Sequence, residues 1–230
     1  MKKSFFNIAL STLAMTSCGN VFTHQTEVVT EKVQTEIVAD TTIQLTKPDK
    51  TLNASLMQAL TDRQSRREFS EKQLSLEDLS SLLWAANGIN REDGRRTAPS
   101  AVNAQDIDIY VCLAAGTYLY DAKLNQLKLV TSEDLRPAVA GHQAISAPVF
   151  LLLVADLSRY PEGIASRRLH AESLACMDAG YVSGNIGLYC SAAHLATVPR
   201  AMMDKETLTK ALNLKETQIA LLNNPIGYIK

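Results

Sequence analysis

Between Ala171 and Ala196 the chain reads AESLACMDAGYVSGNIGLYCSAAHLA, a helix-length stretch that is apolar nearly all round and studded with Ala, Gly and Ser. A helix without a polar face is buried on every side. The chain has 230 residues, 46% of them hydrophobic, which is enough for one sizeable core and one globular domain. In a chain of this size the natural place to bury such a helix is a subunit interface.

The remaining segments place that helix in a mixed α+β order. SLMQALTDRQSRREF carries Leu56, Met57, Ala59 and Leu60 as an apolar stripe running into a basic segment. SLEDLSSLLWAANG predicts a helix with Ser75 and Asp78 as a capping-box pair and Asn87-Gly88 as the stop. IDIYVCLA, TYLYDA and QLKLVT predict an antiparallel meander. APVFLLLVAD is uniformly apolar and reads as the central strand, covered on both faces. The C-terminal KALNLKETQIALLNNPIGYIK predicts a short helix, a strand near Gln218 to Leu222 and a Pro-Gly punctuated end. Trp84, Tyr110, Tyr118 and Tyr120 are expected in the core, and Met202 and Met203 as apolar gap-fillers.

The N-terminus predicts export. Lys2 and Lys3 precede an apolar run from Phe5 to Met15, too short to span a bilayer, and MTSC resembles a bacterial lipobox. Three fates stand for this segment: lipidation at Cys18, cleavage by an ordinary signal peptidase, or retention. The expected layout is residues 1–18 as signal peptide with lipobox, 19–42 as polar tether and 43–230 as the domain. TIQLTKPDK belongs to the tether or forms an edge strand of the body. The chain is then a membrane-anchored lipoprotein facing the periplasm or exterior, touching the membrane only through its lipid. A net charge of -1 gives no reason for a nucleic-acid partner. Cys112, Cys176 and Cys190 form no CxxC pair and read as buried thiols, and no His lies at metal-ligand spacing.

Polar residues concentrate in two places: Arg63, Ser65, Arg66 and Arg67, and the loop RRTAPSAVNAQ with Arg95, Arg96, Pro99, Ser100, Asn103 and Gln105. No G-x-G-x-x-G, G-x-x-x-x-G-K-[ST] or G-x-S-x-G motif is present. Arginines offer bidentate donors to a phosphate, and Asn or Gln amides match the donor and acceptor edges of a heteroaromatic ring. The plainer reading is that these arginines solvate a helix end and a loop tip.

In chain order, RQSRREF, LWAANGINR, RTAPSAVNAQDIDIYV, LYDA, APVFLLLVAD, DAGYVSGNIGLYCSAAHLATVPR and NNPIGYIK resemble the nitroreductase family, and within it the SagB-type dehydrogenase branch. The resemblance covers about Ile43 to Lys230. It implies an α+β, nitroreductase-like fold, with a central, mostly antiparallel sheet flanked by helices in an intertwined homodimer. FMN would lie at the subunit interface. Arg63, Ser65 and Arg67 would take its phosphate, ribityl and pyrimidine side, and Pro99, Ser100, Ala101, Asn103 and Gln105 would line the ring from the partner chain. Pro199, Arg200, Ala201 and Met202 match the loop whose backbone donors approach the flavin N5. Lys230 either closes the phosphate site or frays.

The resemblance further implies ping-pong oxidoreduction of a small organic substrate, with the flavin carrying the chemistry and no catalytic side chain. Asp178 and Glu172 are expected on a helix surface. The electron donor stays open among NAD(P)H, quinol and a partner protein, because nicotinamide pools are cytoplasmic. A different class of reading is a flavin-binding lipoprotein without turnover, acting as a binding or assembly module.

Overall fold

The structure is a computed structural model that describes Ile37 and residues 40–230. The signal segment with Cys18, and nearly all of the expected tether, lie outside the described residues. The chain folds as an α+β domain around a seven-stranded sheet in the order β1-β4-β3-β2-β5-β7-β6, with every pairing antiparallel.

The expected meander is β2 (Ile107–Leu113), β3 (Gly116–Asp121) and β4 (Gln126–Thr131). β1 (Thr42–Gln44) pairs with β4 at the edge, so TIQ belongs to the body. β5 (Val149–Asp156) pairs with β2 on one side and with β7 (Gln218–Tyr228) on the other. Seven of its eight residues are buried, although the middle strand of the sheet is β2. The period-2 alternation of side chains splits these strands between two cores. Val111, Leu151 and Leu153 face one core, and Cys112, Phe150 and Leu152 the other.

Helices α2 (Leu76–Asn87) and α5 (Arg168–Ala192) cover the first face, while α3 (Arg136–Ala140) and α6 (Lys205–Ala211) cover the second. The Ser75 hydroxyl accepts from Asp78 N–H as expected, but the Asp78 carboxylate turns to the Tyr228 hydroxyl at 2.6 Å instead of closing the box. That bond ties the start of α2 to the end of β7.

Several expectations are corrected. α5 ends at Ala192, and Leu195–Thr197 form β6, because His194 adopts a left-handed conformation (φ 54°) that a helix cannot continue. β7 runs on through Pro225 and Gly227 to Tyr228. Pro225 lies just outside the Ile226 to Tyr228 span that pairs with β6, so its missing N–H costs β6 no bond. In α1 (Leu56–Asp62) only Ala59 is buried, and Leu56, Met57 and Leu60 face outward. Within one chain, which leaves the expected subunit interface untested, α5 buries one face through Ala175, Ala179, Val182 and Ile186 and leaves Leu169, Met177 and Tyr181 exposed. Cys112 and Cys190 are buried, whereas Cys176 is exposed on α5. A short helix, α4 (Glu162–Ala165), completes the fold. No helix among the described residues is long and apolar enough to cross a membrane.

Candidate active site

The segment after α1 leaves the helix at Arg63 and is fixed by its backbone. Arg66 N–H donates to Thr197 O at 2.9 Å, and Ser70 N–H to Tyr228 O at 2.9 Å, which moors the stretch to β6 and β7. Its side chains are left over. Arg63, Ser65 and Arg67 are exposed and Arg66 half-buried, and none of these arginines, nor Lys230, has an ion pair or side-chain hydrogen bond among the described residues. Unpaired guanidinium groups gathered on one segment form an anion-binding surface.

Cavities among the described residues border this segment. Arg63 and Gln64 meet Gly180, Gly184, Gly187, Thr197 and Pro199 around a cavity of about 270 Å³. A Cβ at Gly180 or Gly184 would meet nothing within 4 Å, so α5 offers a flat floor there. Arg63 and Arg66 also border a cavity of about 470 Å³ with Ser191 and His194. Arg67 and Lys230 share a third, of about 540 Å³, with Ser70 and Arg136. The structure thus brings Arg63 together with Pro199, and Arg67 with Lys230.

Pro199 opens a loop held by β7. Arg200 N–H donates to Asn223 O at 2.8 Å and Asn223 N–H to Arg200 O at 2.7 Å. The buried Arg200 guanidinium donates to Ala140 O at 2.6 Å and to Asn223 Oδ1 at 3.0 Å, with Gln143 Oε1 beside it. Burial lowers its pKa. Arg200 is therefore fully engaged in the fold, while Ala201 and Met202 are exposed beyond it. Exposure of Met202 departs from the gap-filling role expected of it. The Asn223 amide donates to Met202 O at 3.1 Å and sets the loop's far side.

The Pro99–Gln105 loop has the opposite design. Arg96, read from sequence as a phosphate donor, donates to Asn87 O at 2.9 Å and to Gln105 Oε1 at 3.1 Å, and burial lowers its pKa. Arg95 sits beside Asp93. Ser100 Oγ accepts from Gln105 N–H at 2.9 Å, and the Gln105 amide donates to Gly94 O at 3.2 Å. Val102, Asn103 and Gln105 all have positive φ, near 50°. A β-branched residue in that region is strained, and such strain persists only where the surroundings over-determine it. Pro99, Val102 and Asn103 point outward.

Asp178 supplies the determination. It is not on a helix surface as expected: it is buried and accepts from Ala101 N–H at 2.9 and 3.1 Å and from the Tyr160 hydroxyl at 3.1 Å. Glu172 does sit at the surface, paired with Arg168 at 2.7 Å. The signal for Asp178 was in the sequence, since an acid within an all-round apolar helix has no polar face to occupy. Asn223 and Asp106 were also missed as anchors, and nothing in spacing alone marks them.

In a single chain the two polar segments do not meet. None of the cavities around Arg63 or Arg67 is bordered by residues 99–105. Asp178, which holds the loop, and Gly187, which Arg63 approaches, lie nine residues apart on α5, roughly 14 Å at 1.5 Å per residue.

The sequence profile of the nitroreductase family matches residues 60–228. The chain belongs to the nitroreductase family of oxidoreductases, whose members generally bind flavin. It is 27% identical over 183 residues to a protein of Methanocaldococcus jannaschii named as a nitroreductase, covering 75% of this chain and 90% of that one. A crystal structure from Ralstonia eutropha, also named as a nitroreductase, is 35% identical with a TM-score of 0.78 over 86% of this chain and 93% of the other. A chain of the E. coli microcin synthetase complex shares the fold at 17% identity, with a TM-score of 0.62 over 90% of this chain and 79% of its own.

Proposed function

We propose that this protein is an FMN-dependent oxidoreductase of the SagB-type dehydrogenase branch. It works as a homodimer in which the Arg63–Arg67 segment of one chain and the Pro99–Gln105 loop of the other hold the flavin between them. The observation that carries this reading is the set of cations Arg63, Arg66, Arg67 and Lys230, which among the described residues have no carboxylate partner and border open cavities. A phosphorylated cofactor fits that surface, because Asp62, Glu68 and Glu71 border the same cavities without pairing with these cations, which stay free to donate charge-assisted bonds to phosphate oxygens. The dimer is supported by the exposed Leu169, Met177 and Tyr181 beside the open glycines of α5, and by the separation of the two segments within one chain.

When bound, FMN supplies reversible two-electron transfer between a donor and a small organic acceptor or substrate. This chain's residues do the rest. Arg63 would neutralise the phosphate and the Ser65 hydroxyl would donate to the ribityl chain, while Lys230, which shares a cavity with Arg67, would add positive charge on that side. Arg67 would place a fixed positive charge at the pyrimidine edge, where it would favour added electron density on the ring. Because the Arg200 amide is engaged with Asn223, the donor toward N5 falls to the backbone of Ala201 or Met202. Pro99, Ala101 and Asn103, with Ser100 and Gln105 holding their shape, wall the ring off from water.

The protein is exported and lipidated at Cys18 in this reading, so its donor is a quinol or a partner protein in place of a nicotinamide. Anaerobic titration of the FMN-loaded protein tests this. Bleaching of the flavin by a quinol and its return with an added oxidant is expected, and bleaching by NADH alone would overturn the choice of donor.

A further inference from the structure

Asp106, immediately before β2, is fully buried, and neither of its carboxyl oxygens makes a hydrogen bond among the described residues, although the Tyr160 hydroxyl lies close by. The polar groups it meets are the Asp178 carboxyl from α5 and the Tyr160 hydroxyl from the turn after β5. Asp178, 3% exposed, already accepts from Ala101 N–H and from that same Tyr160 hydroxyl. Two ionised carboxylates in such a place would repel at close range, and Asp106 would keep both oxygens unsatisfied in the core. One proton on Asp106 removes both costs, because it turns an acceptor into a donor aimed at Asp178.

We propose that Asp106 carries a proton that it donates to the Asp178 carboxyl, and that this hydrogen bond positions the Pro99–Gln105 loop by holding Asp178 against Ala101 N–H. Asp106 is thus a positioning residue that acts through Asp178. Its consequence for cofactor retention rests on the reading of that loop as one wall of the flavin site, but the pairing itself does not.

Neighbouring charges supply no alternative counter-ion. Arg159 donates to Gln105 O at 2.8 Å and, through its Nη2, to both Asp108 carboxylate oxygens at 2.6 and 2.8 Å, with Asp156 also beside it. Arg96 is committed to Asn87 O and Gln105. α2 presents only the neutral Asn87 amide, which donates to Ile107 O at 3.1 Å. In keeping with this, burial and then Asp178 push Asp106 up to about 7, and burial and both acids raise Tyr160 as well. The docked loop holds a proton that an undocked, hydrated Asp106 gives up. Docking is therefore strongest below about pH 4, weakens as pH rises toward about 7 and levels off above it.

Hydrogen exchange of the peptide covering Ser100 to Gln105, followed by mass spectrometry on the purified protein without added flavin, tests the pair. Corrected for intrinsic rates, wild-type protection is expected to fall about tenfold between about pH 6 and about pH 8.5. Asp106→Asn should keep its protection at both values, since its amide still donates to Asp178, and Asp178→Asn should lose it at both. A flat wild-type profile, or the same slope in Asp106→Asn, would overturn the proposal. Should Asp106→Asn fail to fold, infrared spectra of the wild type decide: a protonated-carboxyl band that titrates away near pH 7 upholds the pair, and its absence overturns it. FMN titration of the same samples separates the two readings. A pH-dependent loop with no FMN uptake sinks the flavin assignment alone, and FMN uptake with a pH-flat loop sinks the pair alone.

Discussion

The Arg63–Arg67 segment and the Pro99–Gln105 loop carry similar residues and are built in opposite ways. The first is moored by backbone bonds at Arg66 and Ser70 and leaves its cationic side chains without partners among the described residues. The second uses Arg96, Ser100, Gln105 and the buried Asp178 to hold its own shape, and presents backbone, Pro99 and Val102 to the outside. The difference teaches that a polar residue in a motif is not by itself a ligand contact. One segment leaves its polar side chains free for a ligand, and the other spends Arg96, Ser100 and Gln105 on its own shape while Pro99, Val102 and Asn103 face outward.

Substitutions should separate the two designs. Asp178→Ala removes the acceptor of Ala101 N–H and Tyr160 and breaks a buried polar cluster, so a loss of about 3 kcal/mol in unfolding free energy is expected by denaturant titration, with FMN binding lost as well. Arg63→Ala and Arg67→Ala should do the reverse. Each leaves stability within about 0.5 kcal/mol of wild type but weakens FMN about 10- to 100-fold through loss of a charge-assisted bond, measured by quenching of flavin fluorescence. A large stability loss from Arg67→Ala would erase the distinction drawn here.

This contrast also marks how far the sequence was legible. The α2 cap, the meander, the buried β5 and the long helix follow from local chemistry, because capping residues, period-2 alternation and apolar runs act over neighbouring positions. The extent of β7 and the exposure of α1 did not, since each depends on what the rest of the chain places alongside. Arg63, Ser65 and Arg67 stood out by spacing, and the structure leaves them exposed. Arg96 and Arg200 stood out equally, yet each meets acceptors distant in sequence: Arg96 those of Asn87 and Gln105, and Arg200 those of Ala140 and Asn223. Charge tells which residues seek partners; only the fold tells whether a partner has been found.

Two smaller effects sharpen the comparison within the second loop. Asp106, raised to about 7 from an unfolded value near 3.9, means that the native chain keeps a proton that the unfolded chain has lost between about pH 4 and about pH 7. Stability should therefore decline as pH rises across that window and level off above it, and Asp106→Asn should flatten the decline in a series of melting temperatures. Smallest of all, Val102→Gly relieves a φ of 48° at the cost of extra backbone entropy. The net change should be a gain of less than about 1 kcal/mol, seen as a slight rise in melting temperature.

The central claim is that one flavin is held jointly by the two segments from two chains. Size-exclusion chromatography of the protein after incubation with FMN, with flavin absorbance followed through the elution, tests it most directly. The account predicts flavin co-eluting at the volume of a dimer. Flavin travelling with a monomer, or a colourless protein peak, would contradict it.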